Sequence, residues 1–592
     1  MVPWLTSLLL AAGSGWFAST AGALPAHHQA AASAPIVNVR NGSYAGVHSP
    51  EYDQDFFLGI PYARKAPRFT VSQHLNSSWD DVRNATAYPP HCVGYGGDEV
   101  GYEISEDCLY LNVIRPAGIE DTAGLPVAVW IHGGGLYMGG SGDRRYNLSF
   151  IVQNSVNQDT PMIGVSLNYR LSAFGFPSGK QALDAGITNL GFRDQRLALQ
   201  WVNENIASFG GAPDKVTIWG ESSGAESVNA QTLAYGGRDD GLFRGVIAES
   251  GYGGYIGRFP GGLNATNLMQ DTYDTLVQNT TCVETVGTPE SLDCLRTLPL
   301  EDLHNALNGT AANPWGPVLD GDFIADYPSK QLSEGRFPKV SVLIGCNSEE
   351  GASFGTGRGP NGGGVNTDDE MRNAIASIVG LEVEKTAGKS LEQVVDELMY
   401  LYPNIQAVGV PGLDKWPIIQ PGDMVAESMG LQYRRTAALF GDFIMQYSRR
   451  RASLAFAAQN LRSWSYRFDV VLPRIPGYAG ATHFQEVAFV FDNIRGDGYE
   501  ENPFANNTEV LTSLAKSMST AWVNFITDQD PNGPKGLGLP GLETWPSYNA
   551  SAGGGVGENI VWTDKDSYIE VDSWRAEGIN YFIQNSLTVF GI

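Results

Sequence analysis

Five short runs, LPVAVWI (125–131), PMIGVSL (161–167), KVTIW (215–219), FRGVIAE (243–249) and VSVLIG (340–345), are mainly apolar at consecutive rather than alternate positions. A strand with two apolar faces must be covered on both, which happens when helices flank a parallel sheet. Between the second and third runs, RDQRLALQWVNENIASFGG (193–211) places Ala198, Val202, Ile206 and Phe209 on one helical face and stops at Gly210 and Gly211, as the helix of a strand–helix–strand crossover does. The pattern predicts an α/β fold with a mostly parallel central sheet, helices on both faces, and inserted helices and loops.

The first 23 residues, an apolar stretch ending at Ala21-Gly22-Ala23, have the form of a secretory signal, although no Lys or Arg precedes Arg40. Residues 24–592 are then expected to form a single domain. The Gly-rich segment GTGRGPNGGGVNTDD (355–369) reads as a mobile loop within it rather than a linker, because strand-like and helical segments continue to the C-terminus. Asparagine acceptor sequons at 41, 76, 84, 147, 264, 279, 308, 506 and 549 agree with an extracellular glycoprotein. The five cysteines carry two short spacings, predicting Cys92–Cys108 and Cys282–Cys294 bridges. Loops this short are stabilised by about 3 kcal/mol each in the loop-entropy view. Cys346 is left as a buried free thiol. A formal net charge of −26 argues against a nucleic-acid partner or an anionic membrane surface. No later segment has the roughly 20 apolar residues of a bilayer span, so no stable membrane anchor is expected.

GESSG (220–224) follows one buried run and opens a helix-like stretch. A serine flanked by glycines at that junction matches the nucleophile elbow, where small neighbours allow a strained backbone to expose the hydroxyl. Ser222 is the candidate nucleophile, and it needs a base. In this elbow architecture the acid and then the base follow the serine in the chain, which leaves His304 and His483 of the eight histidines. His304 lies in PLEDLHNALNG, a helix-like stretch that would hold it on a solvated face. His483 lies in the glycine-containing loop GYAGATHFQEVAFVF and is the chosen base. The acid that orients an imidazole belongs on a loop after a sheet strand. VSVLIGCNSEEG supplies Glu349 and Glu350, one of them expected to be only a solvated loop acid. The turn in WIHGGGLYMGG (130–140), again straight after a buried run, offers the Gly134 and Gly135 N–H groups, with that of Ser223, as an oxyanion hole.

With these residues the chain resembles the type-B carboxylesterase/lipase family, the cholinesterase-like branch of the α/β-hydrolases, and most nearly its secreted fungal members. The resemblance extends from FFLGIPYA (56–63) through SEDCLYLNV, NYRLSAFGF, NLGFRDQRLALQWVNENIASFGG and GDFIMQ to TDQDPNG and WPSY (545–548). It implies a Ser222–Glu350–His483 triad, since the family's acid immediately precedes a glycine, as Glu350 precedes Gly351. It further implies supporting roles for Glu221, Ser250 in AESG and Glu486 in HFQE, with both disulfides on family loops. Neither metal nor cofactor is implied, and the partner is a small-molecule ester. GESSG stands where GESAG is commoner, and Cys346 where threonine is frequent; neither change removes a catalytic atom.

The 15 residues between Cys92 and Cys108, VGYGGDEVGYEISED, lie where lipase relatives carry a long amphipathic lid. They offer no apolar helical face and no tryptophan to receive a choline cation. The expectation is a secreted esterase of short-chain or aromatic esters. The alternatives are a lipase or sterol esterase of long-chain esters and a non-catalytic cholinesterase-like binding protein.

Overall fold

A computed structural model describes residues 34–254, 259–311, 314–506, 508–534, 536–539, 541–552 and 555–592. The expected signal at 1–23 lies outside the described residues. All five apolar runs become adjacent strands of one 11-stranded sheet. Across its centre the order is Ser341–Asn347, Gly245–Glu249, Gly211–Glu221, Leu125–Ile131 and Ile163–Leu167, every neighbouring pair parallel. Ser463–Phe468 and Glu558–Trp562 extend the parallel part beyond Ser341–Asn347. Tyr568–Val571 closes that edge antiparallel. Tyr110–Pro116, Gln54–Pro61 and Val47–Ser49 do so at the other.

The central strands are mainly apolar because both faces are covered. Val127, Val129, Ile131, Val216 and Ile218 join one core, whereas Ala128, Trp130, Trp219 and Ile247 join the other. The predicted crossover is the helix Leu190–Asn205, continued by a 3-10 turn Ile206–Phe209. Ala198, Val202, Ile206 and Phe209 are all buried in the first core. A third apolar cluster, centred on residues 365–447 and 579–592, belongs to the inserted C-terminal helices.

Both predicted disulfides are present and Cys346 is a buried free thiol. The Gly-rich segment is a loop over most of its length. It holds a 3-10 turn, Pro360–Gly362, and runs into the helix Asp368–Ala376, which is closed by a Thr367/Glu370 capping box. Two of its glycines admit backbone from another helix region. A Cβ on Gly364 would lie 2.1 Å from the Met429 carbonyl carbon, and one on Gly355 2.7 Å from that of Thr436. Small residues here permit close packing rather than preventing it. Among the described residues no helix is long and apolar enough to cross a membrane.

Candidate active site

Strand order reverses at Leu125–Ile131: the chain goes to one side of it for Ile163–Leu167 and then to the other for Gly211–Glu221. Crevices beyond the carboxyl ends of strands at such a switch are where α/β sheets place ligands. Two glycine-containing turns meet there. Gly211–Glu221 breaks at Ser222, whose φ of 57° and ψ of −126° lie where only a strained residue sits, and the helix Ser223–Gly237 begins at once. The flanking glycines are required by contact. A Cβ on Gly220 would be 2.5 Å from the Gly224 carbonyl, and one on Gly224 would be 2.1 Å from the Ile131 carbonyl oxygen.

His483 Nε2 is 2.8 Å from Ser222 Oγ, and its Nδ1 is 2.7 Å from Glu350 Oε2. Glu350 Oε1 accepts from Ser250 Oγ at 2.5 Å and from the Asn347 N–H at 2.8 Å, so both carboxylate oxygens are directed. Asn347 also donates to Glu486 Oε2 and to the Thr482 carbonyl, one residue before His483. Gln446 in turn donates to the Asn347 carbonyl. Glu221 Oε1 lies 3.2 Å from His483 Nε2, on the serine side of the ring. The ring edge of Phe354 meets the imidazole at 4.8 Å between centroids.

The electrostatics follow from burial among carboxyls. Burial alone would push the His483 imidazolium down, but the Glu221 and Glu350 carboxylates, the hydrogen bond from Nδ1 and the charge of Glu486 outweigh it, raising His483 from 6.5 to about 9. Burial pushes Glu221 well above the carboxylate range, opposed by His483. Burial, and then the charge of Glu350, lift Glu486 to about 7 against the donor from Asn347.

The HGGG turn lies against the elbow so closely that a Cβ on Gly133 would be 3.1 Å from Ser222 Cβ. Its carbonyls are committed elsewhere. That of His132 accepts from Tyr169 Oη, that of Gly133 from His132 Nδ1 at 2.9 Å, and that of Gly134 from the Tyr137 and Met138 N–H groups. Burial holds His132 down at about 3, so the neutral ring donates through Nδ1. A trans peptide sets each N–H opposite the preceding carbonyl. The Gly134 and Gly135 N–H groups therefore point away from those bonds. Likewise the Ser222 carbonyl accepts from Glu226 inside the helix, which turns the Ser223 N–H out of the helix N-terminus.

Ser222, Glu350, His483, Gly134, Gly135, Ser223, Glu221, Ser250 and Glu486 are thus assembled at the carboxyl ends of the central strands. Two readings need correction. Glu349 is not a solvated acid. It is 3% exposed, paired with Lys415 Nζ at 2.8 Å through both oxygens, and accepts the Ala481 N–H at 2.7 Å. Lys415 can reach it because Gly412–Trp416 folds over the 477–481 loop. His304 is half-buried, its ring stacked on Tyr95 at 4.8 Å, rather than on a solvated helix face. The structure also adds roles that no motif indicated, those of Asn347, Gln446 and the Ser223 hydroxyl, which accepts the Leu136 N–H at 3.1 Å and ties the HGGG turn to the elbow helix.

The carboxylesterase family's sequence profile matches residues 33–556. The chain belongs to the carboxylesterase family. Among its relatives is a secreted triacylglycerol lipase of Gibberella zeae, 30% identical over 95% of this chain and 92% of the relative. Lipase 2 of Geotrichum candidum is 30% identical over 82% and 79%. Of solved structures, Aspergillus niger EstA superposes with a TM-score of 0.75 at 25% identity, covering 95% of this chain and 99% of that one. The family and these relatives make this carboxylesterase-family member an ester-hydrolysing enzyme of α/β-hydrolase fold.

Proposed function

We propose that this enzyme is a secreted esterase of short-chain or aromatic esters acting through an acyl-enzyme on Ser222. The observation that carries the mechanism is the unbroken line from Ser222 Oγ to His483 to Glu350, at 2.8 and 2.7 Å. As Ser222 Oγ attacks the ester carbonyl, its proton passes to His483 Nε2. The imidazolium is stabilised by Glu350 through Nδ1–H and by Glu221 at 3.2 Å. Negative charge developing on the carbonyl oxygen is received by the Gly134, Gly135 and Ser223 N–H groups, at the positive end of the elbow helix. His483 returns the proton to the leaving alcohol, and water, activated by the same base, releases the acid.

The chain-length reading rests on the Cys92–Cys108 loop. It contains a three-residue 3-10 turn, Gly97–Glu99, with no apolar helix, and its Asp98 is ion-paired to Arg145 at 2.6 Å. A loop so built supports access without a lid that opens on oil. Expected behaviour is a preference for short acyl chains across p-nitrophenyl acetate to palmitate, lost in Ser222→Ala, with no rate jump as tributyrin passes its solubility limit. The names of the fungal relatives favour a second reading, a long-chain lipase. Palmitate preference or a jump at the tributyrin interface would establish that instead.

The pH dependence provides a separate test. Attack requires neutral His483, so kcat/KM should climb as pH rises through the His483 value, with its acid limb above the 6.5 of an ordinary histidine. Glu221→Gln removes a negative charge that favours the imidazolium, so the limb should move to lower pH. An unmoved limb would show that Glu221 carries no charge when the enzyme works.

A further inference from the structure

The oxyanion turn is held from two directions, and only one of them is the elbow helix. At its far end the Gly139 N–H donates to Glu99 Oε1 at 2.8 Å, a residue of the Cys92–Cys108 loop. The other carboxylate oxygen, Oε2, is 3.2 Å from His91 Nδ1. His91 is buried, stacked on Tyr102 at 4.2 Å and set against Gly140, where a Cβ would come within 2.3 Å of the ring. The Glu99 side chain is only 10% exposed, and a Cβ on Gly94 would lie 2.2 Å from Oε1. A backbone bond from the Tyr95 N–H to the Tyr137 carbonyl, 2.8 Å, joins the same two segments.

We propose that Glu99, held by His91, is a positioning residue for the reaction: it fixes the Gly139 end of the turn and thereby the direction of the Gly134 N–H. The link is steric and short. A Cβ on Gly139 would stand 3.0 Å from the Gly133 carbonyl oxygen and 2.8 Å from His132 Nδ1, so Gly139 packs on the very bond that orients the following peptide. Displacing Gly139 frees the Gly133 carbonyl to swing, and the Gly134 N–H swings with it. An oxyanion donor acts only where the charge develops, so the cost falls on the transition state and not on substrate binding. The disulfide loop is in this view a buttress of the catalytic turn. Asp98, beside Glu99, anchors the same loop to Arg145 with no hydrogen bond to the turn among the described residues, and so serves as an internal control.

This inference rests on the oxyanion-hole reading above, and the test separates the two. Glu99→Ala, Glu99→Gln, Glu99→Asp, Asp98→Ala and Ser222→Ala are compared on p-nitrophenyl butyrate and by inhibition with an aryl trifluoromethyl ketone, whose serine adduct carries the oxyanion. Glu99→Ala should lower kcat about 10- to 100-fold with KM within about twofold, and weaken the ketone by the same factor. Glu99→Gln, which keeps an oxygen for the Gly139 N–H, should recover most of the loss. Asp98→Ala should stay within about twofold of the parent. If Glu99→Ala does not fold, Glu99→Asp, which keeps the charge and withdraws the oxygen by one methylene, should still lose kcat at least about fivefold. Parental kcat in either variant, a loss confined to KM, or an equal loss in Asp98→Ala would overturn the proposal. Activity surviving in Ser222→Ala would instead overturn the active-site reading.

Discussion

His483→Ala is expected to lower kcat/KM on p-nitrophenyl butyrate by about 10⁴-fold or more while the protein still folds. The hydroxyl of Ser222 is a weak nucleophile without a base at 2.8 Å, and among the described residues no other histidine bonds to it. The loss should equal that of Ser222→Ala, and the double variant should be no worse, because residues that act as a unit do not add. Melting should change little, since His483 sits on a loop, partly exposed, with Phe354 its aromatic neighbour. His304→Ala is the control. His304 lies on the helix Leu300–Leu307 with its ring stacked on Tyr95, so the change should cost about 1 kcal/mol of stability and leave kcat/KM within about twofold. Reversed effects would reassign the base.

Glu350→Gln should cost about 10⁴ in kcat, whereas Glu349→Gln, one residue earlier, should leave kcat/KM within about threefold. The amide at 350 can no longer hold Nδ1–H against a charged acceptor, so the tautomer and orientation that leave Nε2 free for the serine proton are lost. The Ser250 and Asn347 donors at 2.5 and 2.8 Å would then face an uncharged partner. At 349 the loss is one of stability. Gln keeps an oxygen for the Ala481 N–H but not the charge beside Lys415, which retains Asp469 as a partner. A decrease of about 2–3 kcal/mol is expected, read by thermal melting. Comparable activity losses at the two positions would mean that the acid is not Glu350 alone.

The parts of the fold legible in the sequence are those whose chemistry is local. Five strands announced themselves because they are mainly apolar at consecutive positions. Ser463–Phe468, SWSYRF, did not, although it is equally buried. Its Ser465 and Arg467 are admitted to the interior by partners from elsewhere in the chain, Arg449 for the first and Ser348 and Glu570 for the second. Glu349 was misjudged for the same reason, since its partner Lys415 is 66 residues away. Gly355 and Gly364 were read as slack because the backbone that fills their missing Cβ positions, at 436–437 and 429–430, comes from another helix region. In the site, the serine, the glycine turn and the histidine were each legible from the residues beside them. The choice between two adjacent acids needed family resemblance. The Ser223 hydroxyl, Asn347 and Glu99 had no sequence signal, because each acts through hydrogen bonds to partners brought in by folding.

By itself, then, the sequence determined which strands form the centre of the sheet, where the chain breaks sharply at Ser222 and 133–135, and which residue types stand ready at those breaks. Periodicity, steric freedom at glycine and side-chain chemistry are properties of short segments. Only the tertiary structure decided that Glu349 is paired with Lys415, that Asn347 bridges Glu350 and Glu486, and that the disulfide loop grips the glycine turn through Glu99. Those are distances between residues far apart in the chain, and they are set by how helices and loops cover the ends of a twisted sheet.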